Sequence, residues 1–279
     1  MYVDGRICDH APASAAHDPG RLKQGHCAGN DRLLIESLAS LSSFHSFAGE
    51  PERGLALGEE SVQRARRLGD DVLLGWSLMG YLLCSDLLQP ARAERLFAGA
   101  IACTERSGDT LGRSVLHNNA GVHALHAGDI PAARAHLEQA DNAMQATGTV
   151  NSYIPANLGW ALRQDNDPDG ARTLFETALR VSRRNGERSG IAGASLGLAC
   201  LAADLADWHR AAELHGIAQA FAERAGHPWQ EPEAGYRRDS LHTVRTSLGE
   251  EQFERAYAKG MTLSLDQALD LALATARPA

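Results

Sequence analysis

Aromatic side chains are scarce in this 279-residue sequence: tryptophan, tyrosine and phenylalanine together make up 5%. Alanine, leucine, arginine and glutamate are frequent instead. That mix favours helices over sheets, because alanine and straight-chain residues lose little freedom in a helix. Cysteine is also sparse, at five, an odd number without CxxC spacing. A disulfide scaffold is excluded, and Cys84, Cys103 and Cys200, set in apolar helical stretches, read as small buried hydrophobes. Positive charge is in deficit, with 27 lysines and arginines against 35 acids and a net charge of -8. A chain of this sign is not, as a whole, a binder of nucleic acid or acidic membranes. No window approaches the roughly 18 apolar residues a membrane helix needs. The opening "MYVDGRICDHAPASAAHDPG" has no apolar core of a signal peptide. The expectation is a soluble cytoplasmic protein. GxxxxGK[ST] and GxSxG are both missing, which removes the phosphate loop and the nucleophile elbow.

What is present is a repeat. Five stretches align: "GLALGEES" from Gly54, "AERLFAGA" from Ala93, "ARAHLEQA" from Ala133, "ARTLFETA" from Ala171 and "AAELHGIA" from Ala211. Each has a small residue, a mostly bulky one four on, and a small one three further. The triplets are Gly54/Gly58/Ser61, Ala93/Phe97/Ala100, Ala133/Leu137/Ala140, Ala171/Phe175/Ala178 and Ala211/His215/Ala218. The first is the weakest, since Gly58 replaces the bulky residue. A glycine follows at a fixed distance in every unit: Gly69, Gly108, Gly148, Gly186 and Gly226. Pro51, Pro90, Pro131 and Pro168 precede four of the triplets. Proline suits a first helical turn and glycine the position past a helix end. Each unit of about 39 residues therefore holds a helix opened by proline and closed by glycine, with Gly148 expected at positive φ. A second apolar-periodic helix lies before each, at about 32–47, 72–87, 112–127, 152–165 and 189–205.

The spacings Gly121/Ala133/Ala140 and Gly159/Ala171/Ala178 resemble the small-residue positions of the tetratricopeptide repeat. The period here is about five residues longer, and the consensus tryptophan and tyrosine are mostly missing. The resemblance implies an all-α fold, a right-handed α-solenoid of about five antiparallel helical hairpins over 32–226. A flexible segment is expected at 1–31 and capping helices at 227–279.

One stretch invites a chemical reading. "LHNNAGVHALHAGD", from Leu116 to Asp129, holds three histidines. At about 100° per residue, His117 and His126 fall on opposite faces of one helix, and His123 and His126 lie about 60° apart. Three histidines cannot converge there, and a closed zinc site needs four ligands. Cys8, His10, His26 and Cys27 are zinc-competent types, but CxH followed by HC matches no usual finger pattern. The expectation is no metal, no cofactor and no catalytic residue. The arginine groups 64/66/67 and 180/183/184 lie in last turns of helices, where the helix dipole favours cations.

The C-terminal segment breaks the repeat. It predicts helices over about Glu233–Leu248 and Glu250–Lys259, then a last one with Ser264 as N-cap and Gln267 completing a capping box. Leu265, Ala268, Leu269, Leu271 and Leu273 are expected to cover the open end of the array. "HRAAELHGIAQAFAERAG" and "YRRDSLHTVRTSLGEEQFERAYAKGMTLSLDQALDLAL" resemble the close of the helical sensor region in ATP-binding LuxR-type transcription regulators and related ATPase–cyclase proteins. The resemblance covers about 33–275. Neither the ATPase nor the DNA-binding domain of those proteins is expected within these 279 residues, so their ATP and DNA functions transfer to no residue here. It implies a sensor or protein-interaction module.

The functional expectation is a non-enzymatic scaffold in a bacterial regulatory system. Its concave face, lined by first helices, would take a protein or peptide partner through Asn118, Val122, His126, Tyr153, Trp160 and Arg163. Self-association is a further possibility; direct nucleic-acid or membrane contact is not expected. Trp160 and Tyr153 read equally well as core residues. A signal-peptide or small-ligand receptor is the alternative, and a metal-dependent enzyme using His123 and His126 the remaining one.

Overall fold

A computed structural model describes residues 31–88, 90–226, 229 and 232–274. Among these, every regular element is a helix. The order is α1 (Asp31–Phe47), α2 (Pro51–Leu68), α3 (Asp71–Leu88), α4 (Pro90–Ser107), α5 (Thr110–Ala127), α6 (Ile130–Ala146), α7 (Tyr153–Gln164), α8 (Pro168–Asn185), α9 (Arg188–Asp204), α10 (Trp208–Ala225), α11 (Glu233–Leu248), α12 (Glu250–Thr262) and α13 (Leu265–Leu273). The chain is an all-α array of tetratricopeptide-like hairpins, the class expected from its repeat.

The helix ends show why the period is so regular. Gly69, Gly108, Gly148, Gly186 and Gly226 all have φ between 63° and 75°. An L side chain at such a φ brings Cβ against the following carbonyl, so glycine is the least costly residue there. A second signal runs beside it. Gly69, Gly108, Gly128, Asn166 and Ala206, each at positive φ, are each followed by aspartate. Those aspartates cap the next helix: Asp70 Oδ1 accepts from Leu73 N at 3.1 Å, Asp109 from Gly112 N at 2.8 Å, Asp129 from Ala132 N at 3.1 Å, Asp167 from Gly170 N at 2.9 Å and Asp207 from Arg210 N at 3.4 Å. One residue reverses the chain and the next satisfies the orphan N–H groups of the new helix.

The described residues divide into two compact units, 31–123 with 142–148, and 124–141 with 149–274. In the first, α1 to α3 pack through small and hydroxyl-bearing residues. Ser42 Oγ lies 2.7 Å from Gly54 O and 3.0 Å from Gly80 O, and its single proton serves one of them. Ser46 Oγ donates to Leu83 O at 3.0 Å, and Cys84 Sγ to Ser42 O at 3.3 Å. Ser61 Oγ lies 3.1 Å from Ile35 O and 2.7 Å from Ser77 Oγ. Gly58, the odd member of its triplet, has a physical account. A Cβ there would stand 2.8 Å from Tyr81 Cα, so α2 and α3 approach closely instead of holding a bulky side chain between them.

The second unit packs by insertion. Phe175 of α8 is fully buried, and a Cβ on Gly159 of α7 would stand 2.9 Å from its ring. A Cβ on Gly197 of α9 would collide with the same ring. The phenylalanine is thus wedged between two first helices whose glycines make room for it. Ala171, Ala178, Ala211 and Ala218 are all 0% exposed.

The C-terminal helices join this core. Phe253 of α12 is 1% exposed, and Ala268, Leu269 and Ala272 of α13 are buried with it. On α10 a Cβ at Gly216 would collide with Tyr257 O, and on α12 one at Gly260 would collide with Glu213 O. The two glycines let α10 and α12 touch backbone to backbone, and Lys259 Nζ ties the crossing to Glu213 at 2.5 Å. Ser264 and Gln267 form the expected capping box. Leu265 departs from expectation: it is 38% exposed rather than covered. It occupies the first turn of α13, one residue past the N-cap, beyond the part of that helix that reaches the core.

Candidate interaction surface

Of the residues that the repeat register assigns to partner contact, Asn118, Val122 and His126 stand on α5 and Tyr153, Trp160 and Arg163 on α7. Trp160 of α7 is 2% exposed. On one side it meets Phe175 edge-on, with ring centroids 5.1 Å apart. On the other, Tyr236 of α11 lies against it at 4.7 Å. Gln164 Nε2 donates to the Tyr236 hydroxyl at 2.8 Å, and Cys200 Sγ of α9 lies 3.9 Å from Tyr236 O. Arg163 adds its guanidinium 5.8 Å from the Trp160 ring and grips Asp204 with two bonds of 2.7 and 2.8 Å. Helix α11 therefore occupies this face of α7 and α9 through one tyrosine.

The six residues expected to contact a partner separate by burial. In the first unit, Asn118 and Val122 of α5 are 1% and 4% exposed, and Asn118 Nδ2 donates to Asn119 Oδ1 at 3.3 Å. Both belong to the interior. In the second unit Trp160 is interior as well, Tyr153 and Arg163 are half-buried, and His126 is exposed. The side chains on this surface that reach solvent are His126, Tyr153 and Arg163.

The chemistry of the interior is subdued. His215 Nε2 and Ser240 Oγ lie 2.8 Å apart, a pairing that elsewhere could activate a hydroxyl. Here the imidazole is 0% exposed, and burial, aided by the Arg237 charge, pushes its pKa down to about 3. Burial lifts the Cys200 thiol to about 11 and the Tyr153 phenol to about 12, the latter aided by Glu187. Each group is driven to its neutral form, the opposite of a base or nucleophile poised near neutral pH. His123 packs 5.7 Å from the Phe97 ring. Among the described residues no three histidines, cysteines or carboxylates come together as a metal site; Cys8, His10, His26 and Cys27 lie outside the described residues. Of the arginine groups, Arg64 pairs with Glu60 at 2.8 Å, Arg180 with Glu176 at 2.8 Å and Arg183 with Asp266 at 2.9 Å. No described helix is long and apolar enough to cross a membrane.

Two features were beyond the sequence reading. Tyr236 sits in a polar helix, and no periodicity links it to Trp160. Gly216 and Gly260 each have helical neighbours that give no sign of a crossing. The aspartate that follows five of the positive-φ turn residues was legible, since those turns repeat it, but the glycine signal overshadowed it.

Residues 156–185, the fourth hairpin, match the tetratricopeptide repeat family. Among solved structures, BtubC (BKLC) from P. vanneervenii is similar in fold, with a TM-score of 0.62 and 17% identity over 82% of this chain and 95% of that one. No curated protein sequence matches. The chain is a tetratricopeptide-like helical repeat protein, and such repeats generally mediate protein–protein interactions.

Proposed function

We propose that this protein is a non-enzymatic interaction and sensor module of a bacterial transcription-regulatory system, acting in the cytoplasm. It binds a protein or peptide partner on the faces of its first helices. The observation that carries this reading is the seating of α11. Tyr236 lies tilted against Trp160, hydrogen-bonds Gln164 and lies against Cys200, so the surface already accommodates a helix through one aromatic anchor. Of the six expected contact residues, His126, Tyr153 and Arg163 are the ones that reach solvent, and Arg163 stands beside Trp160. The likeness of "LGEEQFERAYAKGMTLSLDQAL" to the close of LuxR-type sensor regions supports the regulatory setting. Its parts have structural roles here: Gly249 turns the chain, Phe253 and Ala256 enter the core, Gly260 crosses α10 and Ser264 caps α13.

The test is selection of helical peptides from a displayed library on the intact chain, followed by hydrogen-exchange mapping. The expected result is protection of α7 amides, with binding weakened about tenfold by Tyr153→Ala, the loss of one anchoring contact. Peptides that bind and protect elsewhere would overturn the assignment of the face.

A further inference from the structure

Where α8 ends, α9 begins, α10 ends and α13 begins, a cavity of about 350 Å³ opens to solvent. Its floor is Ile191 and Phe221, which are 2% and 5% exposed. Its mouth carries Arg183, Arg188 and Arg224, with Leu265 as an apolar lip. The arginines are held rather than loose. Arg188 Nη1 donates to the Arg224 carbonyl oxygen at 3.3 Å, and the Arg224 guanidinium stands 5.1 Å from the Phe221 ring. Arg183 Nη2 reaches Asp266 at 2.9 Å. The neighbouring Glu187 is turned away, with one oxygen 2.5 Å from Ser152 Oγ and the other 3.0 Å from Asn185 Nδ2. Three guanidiniums thus gather at one mouth, where Asp266 pairs with Arg183 and Glu187 is engaged by Ser152 and Asn185, on a chain whose net charge is -8.

We propose that this cavity binds an organic carboxylate. The apolar body rests on Ile191, Phe221 and Leu265. Arg188 and Arg224 hold the carboxylate, and Arg183 joins them when it leaves Asp266. An apolar floor fixes the body while a guanidinium fork matches the geometry of a carboxylate. The volume is at the lower end of ligand pockets, which run from about 300 to 1,000 Å³, and suits one ring or one large apolar side chain. The exposed Leu265, out of place in a capping helix, gains a partner. The ligand could be a free small carboxylate or the C-terminal residue of a polypeptide, since both present the same chemistry. This inference is independent of the face occupied by α11.

The experiment is titration of the intact chain, followed by calorimetry and NMR, with four probes: phenylacetate, phenylacetamide, and a short neutral peptide ending in leucine as free acid and as amide. Saturable binding of phenylacetate but not its amide supports a free small-molecule ligand. Binding of the peptide acid alone, lost on amidation, supports a chain end. In either case Arg188→Ala and Arg224→Ala should each weaken binding about tenfold, as expected for a lost charge-assisted bond. Asp266→Asn, which removes the competitor for Arg183, should tighten it severalfold. A merely structural arginine would not produce that opposite sign. Equal binding of acids and amides, competition by inorganic phosphate as strong as by phenylacetate, or no binding of any probe would overturn the proposal. The three arginines are exposed, so unchanged thermal unfolding of the variants separates lost binding from lost fold.

Discussion

Helices α1 to α3 of the first unit and α7 to α9 of the second solve the same packing problem with opposite chemistry. The first brings helices together at Gly54, Gly58 and Gly80 and joins the touching backbones with serine hydroxyls. The second holds helices apart with Phe175 and seats that ring on Gly159 and Gly197. The polar balance differs too. Ser42, Ser46, Ser61 and Ser77 in the first unit have hydrogen-bond partners, whereas Ser182, Ser195 and His215 Nδ1 in the second are buried with none. One repeat unit can thus be built on hydrogen bonds at close range or on a wedged apolar side chain, provided glycine stands where the helices meet.

The largest test of this contrast is Phe175→Ala. It should cost about 3–5 kcal/mol in denaturant unfolding, because the ring leaves a cavity that two glycines cannot fill. The mirror experiment, Gly58→Ala, adds a methyl where Ser42 Oγ would be 2.7 Å and Tyr81 Cα 2.8 Å away. It should cost about 1–3 kcal/mol through overpacking. A neutral Gly58→Ala would break the comparison, since the first unit would then not depend on close approach.

Acid should sharpen it next. His215 has a folded pKa of about 3 against an unfolded value of about 6.5, so the unfolded chain binds the proton more readily between those values. Stability is full above about pH 6.5 and falls as the pH drops towards 3, by up to about 1.4 kcal/mol per unit. Hydrogen exchange as a function of pH should show protection fading first around α10 and α11. His215→Leu combined with Ser240→Ala should flatten that dependence; an unchanged profile would assign the acid sensitivity to other groups.

A serine pair gives a smaller effect of opposite signs. Ser42→Ala removes a buried hydroxyl that donates to a neighbouring helix's carbonyl and should cost about 1 kcal/mol. Ser195→Ala removes a hydroxyl without a partner and should be neutral or stabilising by less than about 1 kcal/mol. The smallest changes are at the turns. Gly148→Ala, at φ 71°, should cost about 1 kcal/mol, whereas Ala206→Gly, at φ 59°, should stabilise by about 0.5–1 kcal/mol. Thermal unfolding reads both.

Much of the array is legible in the sequence. The register that placed Ala133, Ala171 and Ala211 at helix contacts puts each at 0% exposed, and the ends assigned to Gly69 through Gly226 carry positive φ. The capping box at Ser264 was readable for the same reason, as four consecutive residues contain its whole chemistry. The candidate surface was much less legible. Asn118, Val122 and Trp160 have the residue types and helix positions of a binding face, yet all three are interior. Helical periodicity gives the direction in which a side chain points but not what comes to meet it.

The local chemistry of turns and caps fixed the repeats: a positive φ needs glycine, a bare helix start needs an acceptor, and both requirements are met within a few residues. Which face of α7 stays open was settled by folding. Tyr236 lies far along the chain from Trp160, and its place there goes with the packing of α11 on α9 and α10, where Cys200 meets its carbonyl oxygen and His215 meets Ser240. Such a contact is set by how whole helices pack, and no short stretch of residues encodes it.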